Sequence, residues 1–428
     1  DEEDILRRYF TNLDQPVFAL VNLPEVVKGA LFARYSRSAK SLRRLFLDEF
    51  VGELDISGDE TIDATVGLKR AEELYDLVFF EYGDDSVAQL GGVHLACEQA
   101  SNLLTKVLEW GRLMSYLEQS TRYISYNTRL DGRYRYYRDP EVMASPLATR
   151  YIADMDYLFD TYSNLVETMR EYFTNAVPKT ESDSDFAYLQ AIKAKALDSV
   201  RGVLPAASLS NVGIYGSGQA YESLLLRMRS HPLPEAREYA EMILSELRKV
   251  IPSFLKRVDM PDRGQQTSDY MSDTRERLTD LSEHYFPKTK TPLPHPTVDL
   301  TDYDPDAEVK LIASSLYPHT DRSDRDVEDR VRRMTTEERI TVLKALEGDR
   351  ENRRHRPGRA LERPSYRFDI LADYGAFRDL QRHRMMTIEW QKLSPYHGFV
   401  SPDELQDAGT SSEFESAMER SMSLHDDL

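Results

Sequence analysis

Cysteine is almost missing from this chain: Cys97 is the single one in 428 residues. One thiol excludes a disulfide framework and a cysteine-built zinc site. Set in the apolar run Val93-His94-Leu95-Ala96-Cys97, which reads as helix, it is expected to be a small buried hydrophobe and not a nucleophile. His94, on that same face, reads as a structural histidine. No apolar run is long enough to span a bilayer, and the first residues, Asp1-Glu2-Glu3-Asp4, are not a charged-then-apolar leader, so a cytoplasmic protein without a membrane segment is expected. Basic charge is in deficit, with 55 Lys and Arg against 74 Asp and Glu and a formal net charge of -19. That balance disfavours a nucleic-acid partner but leaves room for a small anion held by a few local arginines. No His, Asp and Glu cluster has ligand spacing, so no metal is expected.

The chain is long enough for two or three domains or one duplicated unit. A short helix over Asp4–Leu13 precedes a strand candidate, Pro16–Asn22, closed by Pro24. Helical spacing covers Glu25–Phe50, a loop is expected over Gly52–Asp63, and helix resumes over Leu68–Glu81 and again from a Ser86 cap to about Trp110. Tyr134-Arg135-Tyr136-Tyr137-Arg138 reads either as a basic aromatic surface or as a solvated turn. Tyr151–Phe173, Phe186–Ser199 and Glu235–Leu255 are amphipathic. The glycines of Asn211–Gly218 lack the order of a dinucleotide fingerprint, and no strand-to-helix unit is expected around them. Residues Met260 to about Tyr303, with Pro287, Pro292, Pro294 and Pro296, read as a linker. Beyond it, Val309–Pro318 and Tyr366–Ile370 read as strands, Gly375–Leu380 as helix, and the acidic Gln406–Leu428 tail as poorly ordered or a surface helix.

The stretch that bears chemistry is Glu109–Tyr126, where Arg112, Glu118, Ser120 and Arg122 lie among aromatics, a mixture suited to gripping an anion and stacking a flat ring. Trp110-Gly111-Arg112 aligns with Arg382-His383-Arg384 downstream, each after a helix and before a polar segment, and a weak internal repeat accounts for both. These residues resemble the flavin-dependent thymidylate synthases, whose signature is Arg-His-Arg, seven residues, then Ser. Arg112 and Ser120 keep the last Arg, the spacing and the Ser, with Trp110 and Gly111 replacing Arg and His. The second copy has the whole Arg-His-Arg but Lys392 at the Ser position and Trp390 where Glu is expected.

The resemblance implies an α+β fold, mainly helical, with a small antiparallel sheet in each of two repeated units. It divides the chain into a nucleotide-binding unit over 1–259, a linker over 260–306 and an incomplete flavin-binding unit over 307–428. It implies reductive methylation of dUMP to dTMP with FAD bound and with NADPH and methylenetetrahydrofolate as co-substrates, in a composite site between the two repeats. Glu118, Ser120, Arg122, Arg201 and Arg227 would hold the nucleotide, and Arg112, Arg382, His383 and Arg384 the flavin. Gly216 and Gly218 depart from the family's Asn and Arg, so a non-catalytic relative that binds nucleotide or flavin is the alternative. The family's tetrameric habit implies a homodimer of two-unit chains. Arg forks suit a phosphate independently of any resemblance. Glu118 and Arg122, four apart, also fit a plain intrahelical ion pair.

Overall fold

The computed structural model describes residues 2–16, 18–35, 38, 40–51, 89–181, 183–287 and 297–428. The expected loop over Gly52–Asp63 and helix over Leu68–Glu81 lie outside the described residues. The fold is α+β and mainly helical, with two small antiparallel sheets. Contacts divide it into a unit of Asp1–Thr291 with Arg378–Leu428, and a second unit of Pro292–Phe377.

In the first unit, α1 (Glu2–Tyr9) leads to α2 (Glu25–Tyr35) and α3 (Leu42–Glu49). The Pro16–Asn22 strand is reduced to a single bridge, Phe10 with Leu20. Two helices replace the single one expected over Glu25–Phe50, because the Ser41 side chain accepts from Arg44 N at 3.3 Å and caps a new start. The helix expected from Ser86 to Trp110 is instead β1 (Gly92–Ser101) followed by α4 (Asn102–Leu108). Pairing decides this against local propensity: β1 lies antiparallel to β3 (Leu209–Ser217) from Gly92 opposite Ser217 to Ser101 opposite Leu209. β2 (Met114–Glu118) pairs on the other side of β3, giving the order β1-β3-β2.

The glycine-rich stretch is thus the central strand, and it does run directly into a helix, α7 (Gly218–Arg229), after α5 (Ala148–Ala176) and α6 (Asp185–Val200). The sheet is antiparallel, which keeps the dinucleotide reading excluded. Inward residues of the sheet join Val26, Leu31, Leu45, Leu104, Leu224 and, from α8 (Pro234–Leu247), Leu244 in the main core. Cys97 is buried there, as expected, and burial pushes its thiol up to about 12. His94 is not on a helix face but on the outer side of β1, its ring 4.5 Å from that of Tyr215.

A second core forms around α5 and α6. Tyr134 and Tyr136 belong to it, which overturns both readings of the 134–138 stretch: Tyr134 stacks on Phe159 at 5.0 Å and Tyr136 donates to Asp156 at 3.0 Å. The supposed linker holds α9 (Gly264–Tyr285), where Ser268 Oγ donates to Leu226 O at 3.3 Å. The acidic tail is α14 (Ser411–Asp427, numbered after the helices below), and it docks into the second core through Phe414 and Leu424. Each such side chain contributes roughly 1.5–3 kcal/mol on burial, enough to hold a helix that charge alone leaves free.

The second unit pairs β4 (Val298–Tyr303) with β5 (Tyr366–Ile370) and buries Val309, Ile312 and Val331 among α10 (Ala307–Leu316), α11 (Asp324–Arg332) and α12 (Thr336–Glu347). The strand expected over Val309–Pro318 is therefore helix. The two units differ in strand number and order, and α13 (Tyr374–Gln381) leads from one to the other.

Candidate functional site

β2 is an edge strand whose inward side carries Met114, Tyr116 and Glu118, while Ser115 and Leu117 face outward. Period-two alternation sets this, so the expected helical spacing between Glu118 and Arg122 does not exist. α4 ends at Leu108, and the turn through Trp110, Gly111 and Arg112 folds back over the strand. There the Tyr116 hydroxyl donates to Gly111 O at 3.1 Å. Glycine suits 111, since a Cβ there would lie 2.7 Å from that hydroxyl and force the Tyr116 ring to shift. Burial pushes the Tyr116 phenol up to about 12, opposed by the nearby charges of Arg227 and Arg384.

Glu118 is a buried hub. Its Oε1 accepts from Arg378 at 2.8 Å, and its Oε2 accepts from Arg382 and lies 3.4 Å from Lys106 Nζ. Lys106 also reaches Glu109 Oε2 at 2.7 Å. Three cations and two carboxylates leave the cluster with one net positive charge. Burial works to raise the Glu118 carboxyl, yet Lys106, Arg378 and Arg382 together hold it below its ordinary value. Glu109 goes the other way, raised by burial and by Glu118. Gln381 Nε2 donates to Lys106 O at 2.7 Å, completing the attachment of the end of α13 to α4 and β2.

This attachment brings the two arginine-rich segments together within one unit. Arg112 donates to Thr387 Oγ1 at 3.0 Å, and the rings of Trp110 and Trp390 meet edge-to-face at 5.6 Å. Behind them, on α7, Arg227 has its guanidinium carbon 5.2 Å from the Trp110 ring centroid. Its Nε and Nη2 are buried and have no hydrogen-bond partner among the described residues. Burial lowers its pKa from the usual arginine value. A Cβ on Gly111 would lie 3.5 Å from Arg227 Nη2, so the glycine turn and the arginine share one cradle.

The other expected arginines gather elsewhere. Arg122 forks onto Asp198 at 2.9 and 2.7 Å, and Arg201 Nη1 is 3.5 Å from the same carboxylate. Ser120 Oγ accepts from Arg122 N at 3.3 Å. Among the described residues, no hydrogen bond or ion pair joins this group to Arg227. Gly216 and Gly218 pack tightly: a Cβ on the first would meet Met114 Cε at 2.6 Å and on the second the Phe254 ring at 2.8 Å.

Sequence reasoning missed Lys106, Asp198, Arg378 and the Trp110–Trp390 contact. Arg378 was accessible, lying in the expected helix four residues before Arg382, which follows the helix end at Gln381. Asp198 and Lys106 have partners three residues away, Arg201 and Glu109, but their contacts with Arg122 and Glu118 span 76 and 12 residues and leave no local signal.

Comparison with known proteins adds identity to this geometry. A family model described as thymidylate synthase complementing protein matches residues 32–253. A UPF0159 protein of Chlamydia muridarum is 42% identical over 424 residues, covering 98% of this chain and 80% of that protein. One from Chlamydia pneumoniae is 41% identical over 432 residues, covering 100% of this chain and 81% of the relative. A third, from Thermoplasma acidophilum, is 29% identical over 400 residues, 88% of this chain and 75% of its own length.

Proposed function

Because the chain belongs to the thymidylate synthase complementing family, we propose that it is a flavin-dependent thymidylate synthase. In this reading it methylates dUMP to dTMP reductively, with methylenetetrahydrofolate as one-carbon donor, NADPH as reductant and FAD as cofactor. The observation that carries the reading is the meeting of Trp110-Gly111-Arg112 with the 382–390 segment beside Arg227, whose buried Nε and Nη2 are unpartnered among the described residues. A buried guanidinium left unpaired is costly, and an anion or an electron-rich base edge offsets that cost.

The residues fit the flavin in kind. Arg112, Arg382, His383 and Arg384 offer donors for a pyrophosphate, and Trp110 and Trp390 offer flat faces. Bound there, FAD would supply the hydride chemistry. The chain's own residues bind and orient. Arg227 holds the base or phosphate of the nucleotide, and Arg122 and Arg201, sharing the one carboxylate of Asp198, keep a net positive charge for a phosphate, with Ser120 as a further donor. Glu118 acts as a positioning residue, because both its oxygens are taken by Arg378 and Arg382.

A second reading, a relative that binds nucleotide or flavin without turnover, is favoured by Gly216 and Gly218, whose surroundings are filled by Met114 and Phe254. Reconstitution with FAD separates the two. A yellow protein that bleaches under NADPH without oxygen and supports growth of a thymidine-requiring strain supports the synthase. Bound flavin with neither property supports the second reading. Failure to take up FAD at all refutes the flavin assignment.

A further inference from the structure

A second cationic recess lies on the far end of α7, where the chain turns through Ser230, His231 and Pro232 into α8. Its cavity, about 430 Å³, is bounded by that turn, by Arg237 of α8 and by Ser272, Arg275 and Glu276 of α9. This volume falls within the range of small-molecule pockets. Arg275 donates to Ser230 O, and Arg237 Nη1 donates to His231 O at 2.7 Å and Pro232 O at 2.8 Å. These bonds fix both guanidinium groups but neutralise neither. Among the described residues no carboxylate is within ion-pair distance of Arg237 or Arg275, whereas Arg229 at the same rim is matched by Glu241. Glu276 is the one acid on the wall.

The histidine is tuned in the same direction. His231 Nδ1 accepts from Leu233 N at 3.1 Å, which leaves the proton on Nε2 as a donor. Burial and the charges of Arg275 and Arg237 push its pKa down to about 4, so at neutral pH the ring is an uncharged donor. Two fixed, unpaired guanidinium groups, a neutral N–H donor and a Ser272 hydroxyl around one cavity form a donor-rich set of positive sign in a chain of net charge -19.

We propose that this recess binds the phosphoryl group of a small phosphate ester, held between Arg237 and Arg275 with His231 as a further donor. His231 and Arg237 lie within residues 32–253 that match the family model, whereas Ser272 and Arg275 lie beyond it, and no hydrogen bond or ion pair among the described residues joins this recess to the Glu118 hub. The cavity is larger than one phosphate group needs, which favours an ester over the free ion.

The test uses the full chain titrated with inorganic phosphate, glycerol phosphate and AMP, read by calorimetry and by the His231 ring resonance, assigned through His231→Gln. The expected result is saturable binding, tighter for an ester than for inorganic phosphate, with the His231 pKa rising by one unit or more as the anion offsets the two arginines. Arg275→Gln and Arg237→Gln should each weaken binding about tenfold or more, and Arg275→Lys should weaken it less. The lysine variant and a thermal melt distinguish lost binding from lost folding. Equal binding of inorganic phosphate and esters overturns the ester assignment. No saturable binding, or binding unchanged by both glutamine variants with an unmoved His231 resonance, overturns the site.

Discussion

Replacing Glu118 with Gln removes one negative charge from a cluster of three cations and two carboxylates, raising its net charge from one positive to two. The fold should persist, because the main core around Leu104, Ile214 and Leu224 does not include this cluster. What should weaken is the attachment of residues 378–390 to α4 and β2. Breaking a buried ion pair by removing one partner costs about 3–5 kcal/mol. Here the Arg382 side chain is 44% exposed and can turn to solvent, so roughly 2–3 kcal/mol is the better expectation. That corresponds to a roughly 30- to 150-fold increase in local opening. Trypsin reads it directly, since the segment carries its own cleavage sites after Arg382 and Arg384. The pH dependence has a definite sign. Glu118 is held below its ordinary value, so its contribution is present above the unfolded carboxylate pKa of about 4.3 and is lost as pH falls through the lower folded value. Wild-type protection should therefore be flat from pH 8 to 5 and fail only in stronger acid. Cleavage after Arg382 and Arg384 within twofold of wild type, in a Glu118→Gln protein with an intact melting transition, would refute the reasoning.

Arg227→Met should leave thermal stability unchanged or raised by about 1 kcal/mol, because it deletes a buried unpaired charge, while abolishing dUMP binding in calorimetry. Gly111→Ala should destabilise by about 1–3 kcal/mol through the clash with the Tyr116 hydroxyl, and most of that loss should vanish in a Tyr116→Phe background when both are compared by denaturant melts. Cys97 should resist a thiol-specific reagent at pH 8 in the native protein and react fully in denaturant, because burial pushes its thiol up to about 12.

Long amphipathic helices were legible in the sequence because their apolar spacing repeats over many turns: α5 and α6 stand where Tyr151–Phe173 and Phe186–Ser199 predict them. Strands were less so, because pairing at a distance defines them: the alternating Tyr366–Ile370 stands as β5, but β1, β2 and β3 were not foreseen. Val93–Cys97 carries no mark of its partner at Val212–Gly216, and the glycines of β3 hide a central strand whose neighbours supply the bulk. The two arginine-rich segments read as copies of one motif; in the structure they are neighbours in one unit. Glu118 shows the same limit at the site, since a carboxylate four residues from Arg122 pairs with arginines more than 250 residues away.

That separation gives the site a history during synthesis. Glu118 and Arg382 are 264 residues apart, with the whole second compact unit encoded between them. At about 5–20 residues per second, Glu118 leaves the ribosome roughly 13–50 s before the arginine that completes it. Over that interval the nascent chain can close its sheet and bury α4, but two carboxylates compete for Lys106 alone. The interval offers a chaperone or a misplaced cation access to a half-made hub, and any insertion lengthening residues 292–377 extends it without changing a residue of the hub.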